Sequence, residues 1–493
     1  MREVINNILR FFLQCVFKVM AKFISWDNRL QRGSFRKRYA FFYGRNAIST
    51  FKPTDFEGQK DRLQQIFEKM PAPKYFAQTS GTTNSPKLIP YDLKRTRYLQ
   101  KTFLRSMITL TSDFEGPKTF YVFASLKKES SLTSGMMDEK NPSTLELLQT
   151  PSRYLQTKEG QALIERVGEL SARIMVLIIT QPRFLYATNP STLTFFLKEL
   201  ETRWKDVRIH LKKIPPGLMR LRDIDGERRV MNFVMREKAP RLQELLPHLT
   251  AVITWDGGYV KPFLDQLKGL LPGVSFVPMY SMSTETVETL PHKINQQIHF
   301  FPVSRGVYPE FHEPGTEKYL TPFELEEGKI YEMIINDEWG LRRYFTRDLF
   351  EVTAILQGLP DLRFIKRKGM TSSLTGEKLT EEHVYELSIV LRKRFPELGD
   401  SAVSLFPVSQ EGVFSYELAV VGRLSLPENL SAVADQELGK INHEYAFKIS
   451  SGSLKRLSAR LISEQDLATL MGKESHWESQ FKVLPLYEKV IAR

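Results

Sequence analysis

The chain is poor in cysteine. Its single cysteine, Cys15, excludes an internal disulfide and any zinc site made of cysteine pairs. None of the 8 histidines forms an HExxH pair, and the segment HEPGTE at 312–317 lacks a second histidine. The chain also contains no GxSxG nucleophile elbow and no GxGxxG dinucleotide turn. Local sequence therefore gives no support to a hydrolase, a dehydrogenase or a zinc enzyme.

Long uninterrupted apolar runs are missing as well. The apolar stretch MREVINNILRFFLQCVFKVMAKFISW is interrupted by Arg10, Lys18 and Lys22, so it is too short to span a bilayer. It has no small-residue cleavage site, which argues against a signal peptide. Its apolar residues fall near helical spacing, which predicts an amphipathic helix docked on the protein body, with peripheral membrane attachment as the alternative. We expect no transmembrane segment and a cytoplasmic protein.

Positive charge is in excess. The 70 Lys and Arg residues outnumber the 57 Asp and Glu residues, and the net charge of +13 favours anionic partners. Part of the excess lies in RLQRGSFRKRYAFFYGR, which has no acidic residue and contains Arg29, Arg32, Arg36, Lys37, Arg38 and Arg45. This segment is interpreted as a solvated helical face, with contact to a membrane surface or polyanion as the alternative. The sequence contains no recognition module for nucleic acid, so none is expected as a partner.

At 493 residues the chain is long enough for two domains. Short apolar runs between helical patterns predict buried strands and an α/β fold, at 119–125, 173–180, 249–255 and 274–281. The segments that flank DEWG predict a hairpin across residues 329–352. A helix is expected to begin near Thr380, capped by that hydroxyl, and a hairpin is expected around 410–412. The boundary is expected near residue 370, giving a large domain at 1–369 and a small α+β domain at 370–493.

The strongest chemical signal is the stretch YFAQTSGTTNSPKLIPYD at 75–92. Four hydroxyl side chains surround one glycine there: Thr79, Ser80, Thr82 and Thr83 beside Gly81. The glycine permits a sharp turn in which consecutive N–H groups converge on an anion, and the hydroxyls add donors suited to phosphate oxygens. Lys87 supplies a mobile positive charge. A surface turn is the alternative, since the same residue types make loops; the Walker pattern is excluded, because Pro86 precedes the lysine.

A resemblance to a known family rests on this stretch and on four others in the family's order. TSGTTNSPK resembles the phosphate loop (S/T)SGTT-G-x-PK of adenylate-forming enzymes, with Asn84 in place of the second glycine. MYSMSTETVETLP at 279–291, YFTRDLFEV at 344–352, LRFIKRKGMTSSLTGEKLTEEHV at 362–384 and SQFKVLPLY at 479–487 resemble its later motifs. The chain resembles, over about 75–487, the Gretchen Hagen family of auxin-responsive acyl acid–amido synthetases, as a divergent, bacterial-looking member.

The resemblance implies an α/β architecture with a large N-terminal domain of β-sheets flanked by helices and a smaller mobile α+β C-terminal domain. It also implies ATP and Mg2+ as cofactors, and a small carboxylic acid and an amine, such as an amino acid, as substrates. The acid would be activated as an acyl-adenylate with release of pyrophosphate, and the amine would then displace AMP. A monomer is expected. A thioester-forming ligase and a non-catalytic nucleotide-binding scaffold are the alternatives.

The same resemblance suggests roles for individual residues. In the phosphate loop, Thr79 to Thr83 and Lys87 would cradle the phosphates. Glu285 would hold magnesium, with Tyr280, Ser283 and Thr284 of its motif near the nucleotide. Asp348 would accept from the ribose hydroxyls. The remaining expected site residues are Gly258 beside adenine, Arg367 in the hinge motif, and Lys378 and Lys482 as mobile catalytic lysines.

Some of these roles have structural alternatives. Asp348 would otherwise be a turn residue at the end of its strand, Glu285 would cap a helix that starts near Ser283, and Lys378 would be an exposed charge at a helix entry. Gly257 and Gly258 would form a tight turn after a strand. The motifs also depart from the family pattern, because YSMSTE has one extra residue after its tyrosine and SQFKVLPLY has Phe481 for tyrosine and lacks the arginine.

Overall fold

A computed structural model describes residues 2–78, 87–123, 150–212, 214–219, 226–257, 260–369, 371–410, 413–422, 424–471, 483–487 and 490–492. The α-helices in these ranges are α1 (Arg2–Asn46), α2 (Glu57–Lys69), α3 (Leu93–Thr111), α4 (Lys158–Val167), α5 (Glu169–Thr180), α6 (Pro190–His210), α7 (Pro216–Met219), α8 (Gly226–Val234), α9 (Leu242–Leu245), α10 (Lys261–Leu270), α11 (Glu381–Arg394), α12 (Leu430–Ile441), α13 (His443–Ser450) and α14 (Glu464–Leu470).

The strands in the described ranges are β1 (Lys74–Gln78), β2 (Leu88–Asp92), β3 (Phe120–Val122), β4 (Phe184–Tyr186), β5 (Ala251–Thr254), β6 (Ser275–Pro278), β7 (Leu290–Ile294), β8 (Gln297–Phe301), β9 (Glu310–His312), β10 (Tyr319–Leu320), β11 (Ile330–Ile335), β12 (Tyr344–Leu356), β13 (Leu359–Arg367), β14 (Thr371–Ser372), β15 (Leu379–Thr380), β16 (Ala402–Gln410), β17 (Val413–Val421), β18 (Ser458–Ile462) and β19 (Ile491–Ala492). Helices and sheets are mixed along the chain, which confirms the predicted α/β class.

A parallel sheet with the order β3-β4-β5-β6 lies at the centre of the larger part of the molecule. Successive side chains of a strand point to opposite faces, so each strand contributes to two separate cores. One core receives Tyr121, Leu185 and Val252 and is completed by helices α4 to α6 and α8 to α10. The other receives Val122, Tyr186 and Ile253 and is shared with the β1–β2 hairpin and the antiparallel sheet β10-β9-β11-β12-β13. The parallel sheet is therefore buried on both faces.

One of the four predicted strands is a helix. The run RIMVLIIT at 173–180 forms most of α5, and every residue of that run is buried. A short, continuous apolar run has the same appearance in a buried strand and in a buried helix, because neither shows amphipathic periodicity. The runs at 119–125, 249–255 and 274–281 do contain strands, namely β3, β5 and β6. The neighbour of β3 is β4, which the apolar pattern did not identify.

The predicted hairpin across 329–352 is confirmed. Strand β11 pairs antiparallel with β12, and β12 pairs in turn with β13, which places Asp348 opposite Arg367. The pairing of β11 with β12 is irregular between Glu332 and Ile334. A strand irregularity of this kind redirects the side chains beside it. The pairing of β12 with β13 therefore places the YFTRD motif beside the hinge motif in one sheet.

The C-terminal part contains the sheet β18-β17-β16-β19, covered by α11 to α13. The predicted cap is confirmed, because the Thr380 hydroxyl accepts from the His383 N–H at 3.4 Å at the start of α11. The predicted hairpin at 410–412 is confirmed by the pairing of β16 with β17 up to Gln410 opposite Val413. One core cluster also joins Phe195 and Phe263 to residues from 402 onward. The division at residue 370 stays a prediction.

Helix α1 docks along one side of the molecule, as expected, but not by the side that the apolar spacing indicated: Ile8, Phe12 and Phe23 are exposed. Most of the contacts instead come from the segment 29–45, so the interpretation of that segment as a solvated face is wrong for its aromatic residues. Phe35, Tyr39 and Phe42 enter a core with Phe301 and Tyr308. The Tyr39 hydroxyl donates to the carbonyl of Pro309 at 2.9 Å. No helix of the described ranges is long and apolar enough to cross a membrane.

Candidate active site

The β1–β2 hairpin presents Lys87 and holds both ends of the segment 79–86. Gln78 at the end of β1 lies opposite Leu88 at the start of β2, and Ala77 and Ile89 next to them are fully buried. The segment between them contains Thr79, Ser80, Gly81, Thr82 and Thr83, which lie outside the described residues. The two ends of this segment are therefore adjacent, and Lys87 follows its last residue directly in the chain.

Lys87, Glu285 and Tyr344 meet in a compact, mostly buried cluster. The Lys87 Nζ donates to the Tyr344 hydroxyl at 2.7 Å and to Glu285 Oε1 at 3.2 Å. The Tyr344 hydroxyl donates to the same Oε1 at 3.0 Å. Burial disfavours the carboxylate, but Lys87 and Arg367, together with this hydroxyl, hold the pKa of Glu285 below its usual value. The cluster therefore keeps an ionised carboxylate next to a cation in a site of low dielectric.

Buried Arg95 holds the backbone that carries Glu285. Its guanidinium donates to the Glu285 carbonyl at 2.6 Å and pairs with Asp337 at 3.3 Å. It lies over the rings of Tyr91 and Trp339, at 4.4 and 5.2 Å from their centroids. A planar guanidinium with several fixed donors suits such a position. Arg95 thereby joins the start of α3, the Glu285 segment and the β11–β12 connection.

The segment around Glu285 is an irregular turn. Ser283 N–H donates to the Thr286 carbonyl at 2.8 Å, and the Thr284 carbonyl accepts from the Tyr91 hydroxyl at 2.8 Å. An isolated bridge between Met282 and Val287 closes the turn. The alternative in which Glu285 caps a helix is therefore wrong, because no helix begins at Ser283.

Asp348 lies within β12 and faces Arg367 of β13. Their side chains approach to 3.9 Å, and Arg367 also donates to the Thr346 carbonyl at 3.3 Å. Burial alone would lower the pKa of Arg367, but Asp348 and Glu285 raise it above its usual value. Asp348 stands within a paired strand, so the alternative of a turn residue at the strand end is wrong. Its carboxylate keeps some exposure and has oxygens that could accept from two neighbouring hydroxyls.

Glu288 is a buried carboxylate that the sequence motifs did not single out. Its side chain is only 1% exposed, and neither carboxylate oxygen has a partner with ordinary hydrogen-bond geometry among the described residues. Burial and the nearby charge of Asp348 raise the pKa of Glu288 to about 8. A buried carboxylate with no close partner among the described residues is costly for folding, which makes Glu288 a candidate for contact with a ligand.

The other predicted site residues are more scattered. Tyr280 is 1% exposed and packs in the core between the parallel sheet and the antiparallel sheet β10-β9-β11-β12-β13. Lys378 is exposed in the loop before β15 and has a left-handed backbone, with φ of 47°. A Cβ at Gly257 would lie 2.5 Å from the carbonyl oxygen of Phe364, so this turn after β5 requires a close backbone approach. Gly258 and Lys482 lie outside the described residues.

Three contributors to the site were missed by the sequence analysis. Tyr344 is the first residue of the YFTRD motif, and Glu288 lies three residues after Glu285 in the motif at 279–291. Both therefore lie in stretches that the sequence analysis identified. Arg95 had no local signal, because its partners Glu285 and Asp337 are 190 and 242 residues away. Only the folded chain identifies an arginine of this kind.

The donor set of this site fits a magnesium ion bound together with phosphates. In the described part of the chain, no group of three or more His, Cys, Asp or Glu side chains is arranged to hold a metal alone. Mg2+ commonly takes only one or two carboxylates from a protein and completes its shell with water and substrate phosphates. The ionised Glu285 and the unpartnered oxygens of Glu288 are ligands of that kind.

Comparison with known proteins identifies related sequences for most of the larger part of the chain. The model of the GH3 family N-terminal domain matches residues 64–276, and the model of the GH3 family central domain matches residues 298–367. Together these matches cover more than half of the chain, and they include the stretches with Lys87, Asp348 and Arg367.

Curated relatives are distant in sequence. Indole-3-acetic acid-amido synthetase GH3.4 of Arabidopsis thaliana is 21% identical over 357 residues, which are 64% of this chain and 59% of that protein. Jasmonoyl–L-amino acid synthetase GH3.5 of Oryza sativa subsp. japonica is 26% identical over 159 residues, 28% of this chain and 27% of that protein. The aligned part is therefore less than two thirds of the length of these relatives.

A solved structure shares the fold. The acyl acid amido synthetase AtGH3.15, solved in complex with 2,4-DB, superposes with a TM-score of 0.65 at 13% identity. The superposition covers 88% of this chain and 84% of that structure. This likeness confirms the predicted α/β fold class.

Proposed function

Because the chain belongs to the GH3 family, we propose that it is an ATP-dependent acyl acid–amido synthetase. It would activate a small carboxylic acid as an acyl-adenylate and transfer the acyl group to an amine, such as an amino acid. Relatives named for indole-3-acetic acid and for jasmonoyl conjugation support an acid–amino acid ligase. The observation that carries the proposal is the contact of Lys87 with Glu285 and Tyr344 beside the ends of the 79–86 segment.

In the first half-reaction, a carboxylate oxygen of the acid attacks the α-phosphorus of ATP, and the bond to the β-phosphate breaks to release pyrophosphate. The main obstacle is the approach of one anion to another, which preorganised cations and hydrogen-bond donors reduce. Lys87 would supply one such cation, and the hydroxyls and amides of Thr79 to Thr83, a few residues earlier in the chain, would supply donors. Arg367 supplies a second close to Asp348, whose carboxylate would accept from the ribose hydroxyls.

Glu285 would hold magnesium, with Glu288, which directly follows the same turn, as a second carboxylate. The ion, when bound, would neutralise phosphate charge and orient the leaving group. Lys87 donates a hydrogen bond to Glu285 Oε1 in this structure. Binding of the ion at that oxygen would release the Lys87 ammonium, which could then move toward the phosphates. Glu288 would gain the charged partner that it lacks among the described residues, and its proton would be released.

In the second half-reaction, the nitrogen of a neutral amine attacks the acyl carbon, the carbon–oxygen bond to AMP breaks, and one proton leaves the nitrogen. We propose that residues 370–493 move between the two half-reactions, with Lys482 near the α-phosphate in the first, and that Lys378 belongs to the hinge. Thiols would react at the same carbon, so the acceptor has to be determined by experiment.

The test is a two-stage assay on the purified chain. Carboxylate-dependent exchange of labelled pyrophosphate into ATP is measured with aryl, indole and fatty acids, and active acids are then incubated with each amino acid and with coenzyme A. We expect exchange with at least one acid and a product mass equal to acid plus amino acid minus water. Nucleotide binding without exchange for any acid would instead favour a non-catalytic binding protein.

A further inference from the structure

Helix α1 has two apolar faces, and only one of them is covered by the body of the protein. The covered face is formed by residues spaced three or four apart, including Phe17 and Ile24, which pack with Ile108 of α3. Farther along, Phe35, Tyr39 and Phe42 continue the same face into the core beneath β8. A helix docked by one stripe would ordinarily present polar side chains on the opposite side.

The opposite face is apolar and exposed. It carries a row of large side chains that we call the outer stripe: Ile8, Phe11, Phe12, Val19, Phe23, Trp26, Leu30 and Phe41. From Ile8 to Trp26 each of these is more than half exposed. Apart from the adjacent pair Phe11 and Phe12, the spacings of three, four, seven and eleven residues are close to whole helical turns and keep them on one side of the helix. The row from Ile8 to Leu30 is roughly 33 Å long, and Phe41 lies about three turns farther along. Scattered exposed apolar residues are ordinary, but a row of this length on one helix face marks an interaction surface.

Positive charge borders the outer stripe. Lys18, Lys22 and Arg29 are exposed one position away from stripe residues, and exposed Lys37 lies between Leu30 and Phe41. Over its whole length α1 contains ten basic residues and only two acidic ones. One of the two, Asp27, is turned toward the body, where Arg105 and Arg305 lie 2.6 and 3.0 Å away. The exposed face therefore joins aromatic and aliphatic side chains with uncompensated positive charge.

We propose that α1 docks the protein peripherally on an anionic lipid surface, with the outer stripe inserted at the boundary between headgroups and acyl chains. Amphipathic helices with Phe, Trp and Leu on one side and lysine or arginine beside them bind such surfaces in the plane of the membrane. Phe and Trp contribute apolar area, and the basic residues are attracted to acidic headgroups. A second copy of the chain is the less favourable occupant, because two outer stripes packed together would bring like charges together.

The proposal is tested by sedimentation with vesicles of phosphatidylcholine alone and with added phosphatidylserine. We expect the full chain to sediment with the anionic vesicles, to remain in solution with the neutral ones, and to bind less as salt rises. A polarity-sensitive fluorophore on Cys15, the only cysteine and an exposed residue between Phe12 and Val19, should shift to shorter wavelength with anionic vesicles.

Two double variants separate the apolar and electrostatic contributions. Val19→Gln with Phe23→Gln should weaken vesicle binding by about tenfold or more. Lys18→Gln with Lys22→Gln should weaken it by about tenfold or more as well. Matched controls are Ile209→Gln with Met235→Gln, which remove two exposed apolar side chains elsewhere, and Lys205→Gln with Lys268→Gln, which remove two exposed lysines. The controls should bind as the parent does.

Three results would overturn the proposal. The first is no sedimentation with anionic vesicles at low salt. The second is vesicle binding by the Val19→Gln, Phe23→Gln variant that equals binding by the parent. The third is a concentration-dependent dimer in light scattering that the Val19→Gln, Phe23→Gln variant abolishes, with no vesicle binding, since this would assign the stripe to a second copy. All substituted side chains are exposed, so unchanged thermal melting should confirm that the variants fold.

Discussion

At the scale of single residues, the site depends on charges held close together inside the protein. Lys87 and Glu285 are both largely buried, and each supplies the counter-charge that the other needs. A buried ion pair adds little net stability, but removal of one partner leaves the other uncompensated and costs several kcal/mol. An arrangement of this cost is expected where the charges serve a ligand.

Lys87→Ala should lower pyrophosphate exchange by about 10²- to 10³-fold, because one preorganised donor to the phosphates is lost. Exchange is measured at saturating ATP, and the free energy of unfolding is measured in parallel. Lys60→Ala is the control, since Lys60 is an exposed lysine whose ion pair is with Glu57 of its own helix. Exchange by Lys87→Ala within about twofold of the parent would remove Lys87 from the site.

Glu288 predicts a specific dependence of stability on pH. Its pKa is about 8 in the folded chain, whereas a glutamate in an unfolded chain has a pKa of about 4.3. The folded state therefore holds the proton more tightly, so the stability linked to this group is fully present below about pH 4 and is lost as pH rises toward 8. Glu288→Gln removes this loss and should be the more stable protein at pH 8, by an amount on the order of a few kcal/mol.

Denaturant unfolding of the parent and of Glu288→Gln, without metal, at about pH 4 and pH 8 measures this difference. Glu165→Gln, on the exposed side of α4, controls for the change of charge. Glu288→Gln should also lose pyrophosphate exchange, because a substitution that raises stability but lowers activity is typical of a residue that binds a ligand. Glu165→Gln should keep it. A difference in stability that stays constant between the two pH values would contradict the assignment.

At the scale of elements, α5 shows how burial overrides local appearance. Ile174, Ile178 and Ile179 are β-branched residues that favour strands, yet they lie in a fully buried helix. Helices α4, α6 and α8 surround α5 and share one core with it, so they bury the apolar side chains on every face of α5. Its buried Arg173 is paired with Glu169 one turn earlier, at 2.9 Å.

Ile178→Ala should destabilise the protein by about 2–5 kcal/mol, because the lost contacts and the cavity outweigh the better helix propensity of alanine. Ile209→Ala is the matched control, since Ile209 is also helical but is largely exposed near the end of α6. Unfolding in denaturant measures both variants. If both cost the same small amount, the core around α5 would not be packed as described.

At the scale of the whole molecule, the two parts of the chain contribute different residues to the proposed reaction. The larger part presents Lys87, Glu285 and Asp348, while the smaller part contains the segment with Lys482. Phe195 and Phe263 of the larger part share a core cluster with Val483, Leu484 and Tyr487, which follow that segment. Any movement of the smaller part would therefore have to rearrange this contact.

Lys482→Ala should impair acyl-adenylate formation by about tenfold or more and leave the transfer from a supplied acyl-adenylate to an amine largely intact, because the lysine would act in the first half-reaction only. The two half-reactions are measured separately, by pyrophosphate exchange and by AMP release from synthetic adenylate. Lys440→Ala, an exposed lysine on α12, is the control. Equal losses in both half-reactions would argue against an alternating role.

The sequence by itself determined the class of the fold, several of its elements and the family. The Thr380 cap, the hairpin across 329–352 and the motif around Gly81 could be recognised because each depends on residues a few positions apart, whose backbone preferences are local. The GH3 matches extend over the same kind of continuous stretches. Roles for Lys87, Glu285 and Asp348 could be suggested on that basis.

Only the tertiary structure decided how the site is held together. Lys87 meets Glu285 across 198 residues and Tyr344 across 257, and Arg95 ties together three elements that are distant in the chain. It also decided that 173–180 is a helix and that α1 leaves one apolar face exposed. These features depend on which surfaces pack against each other, and a side chain's burial and charge environment are set by neighbours that no local pattern contains.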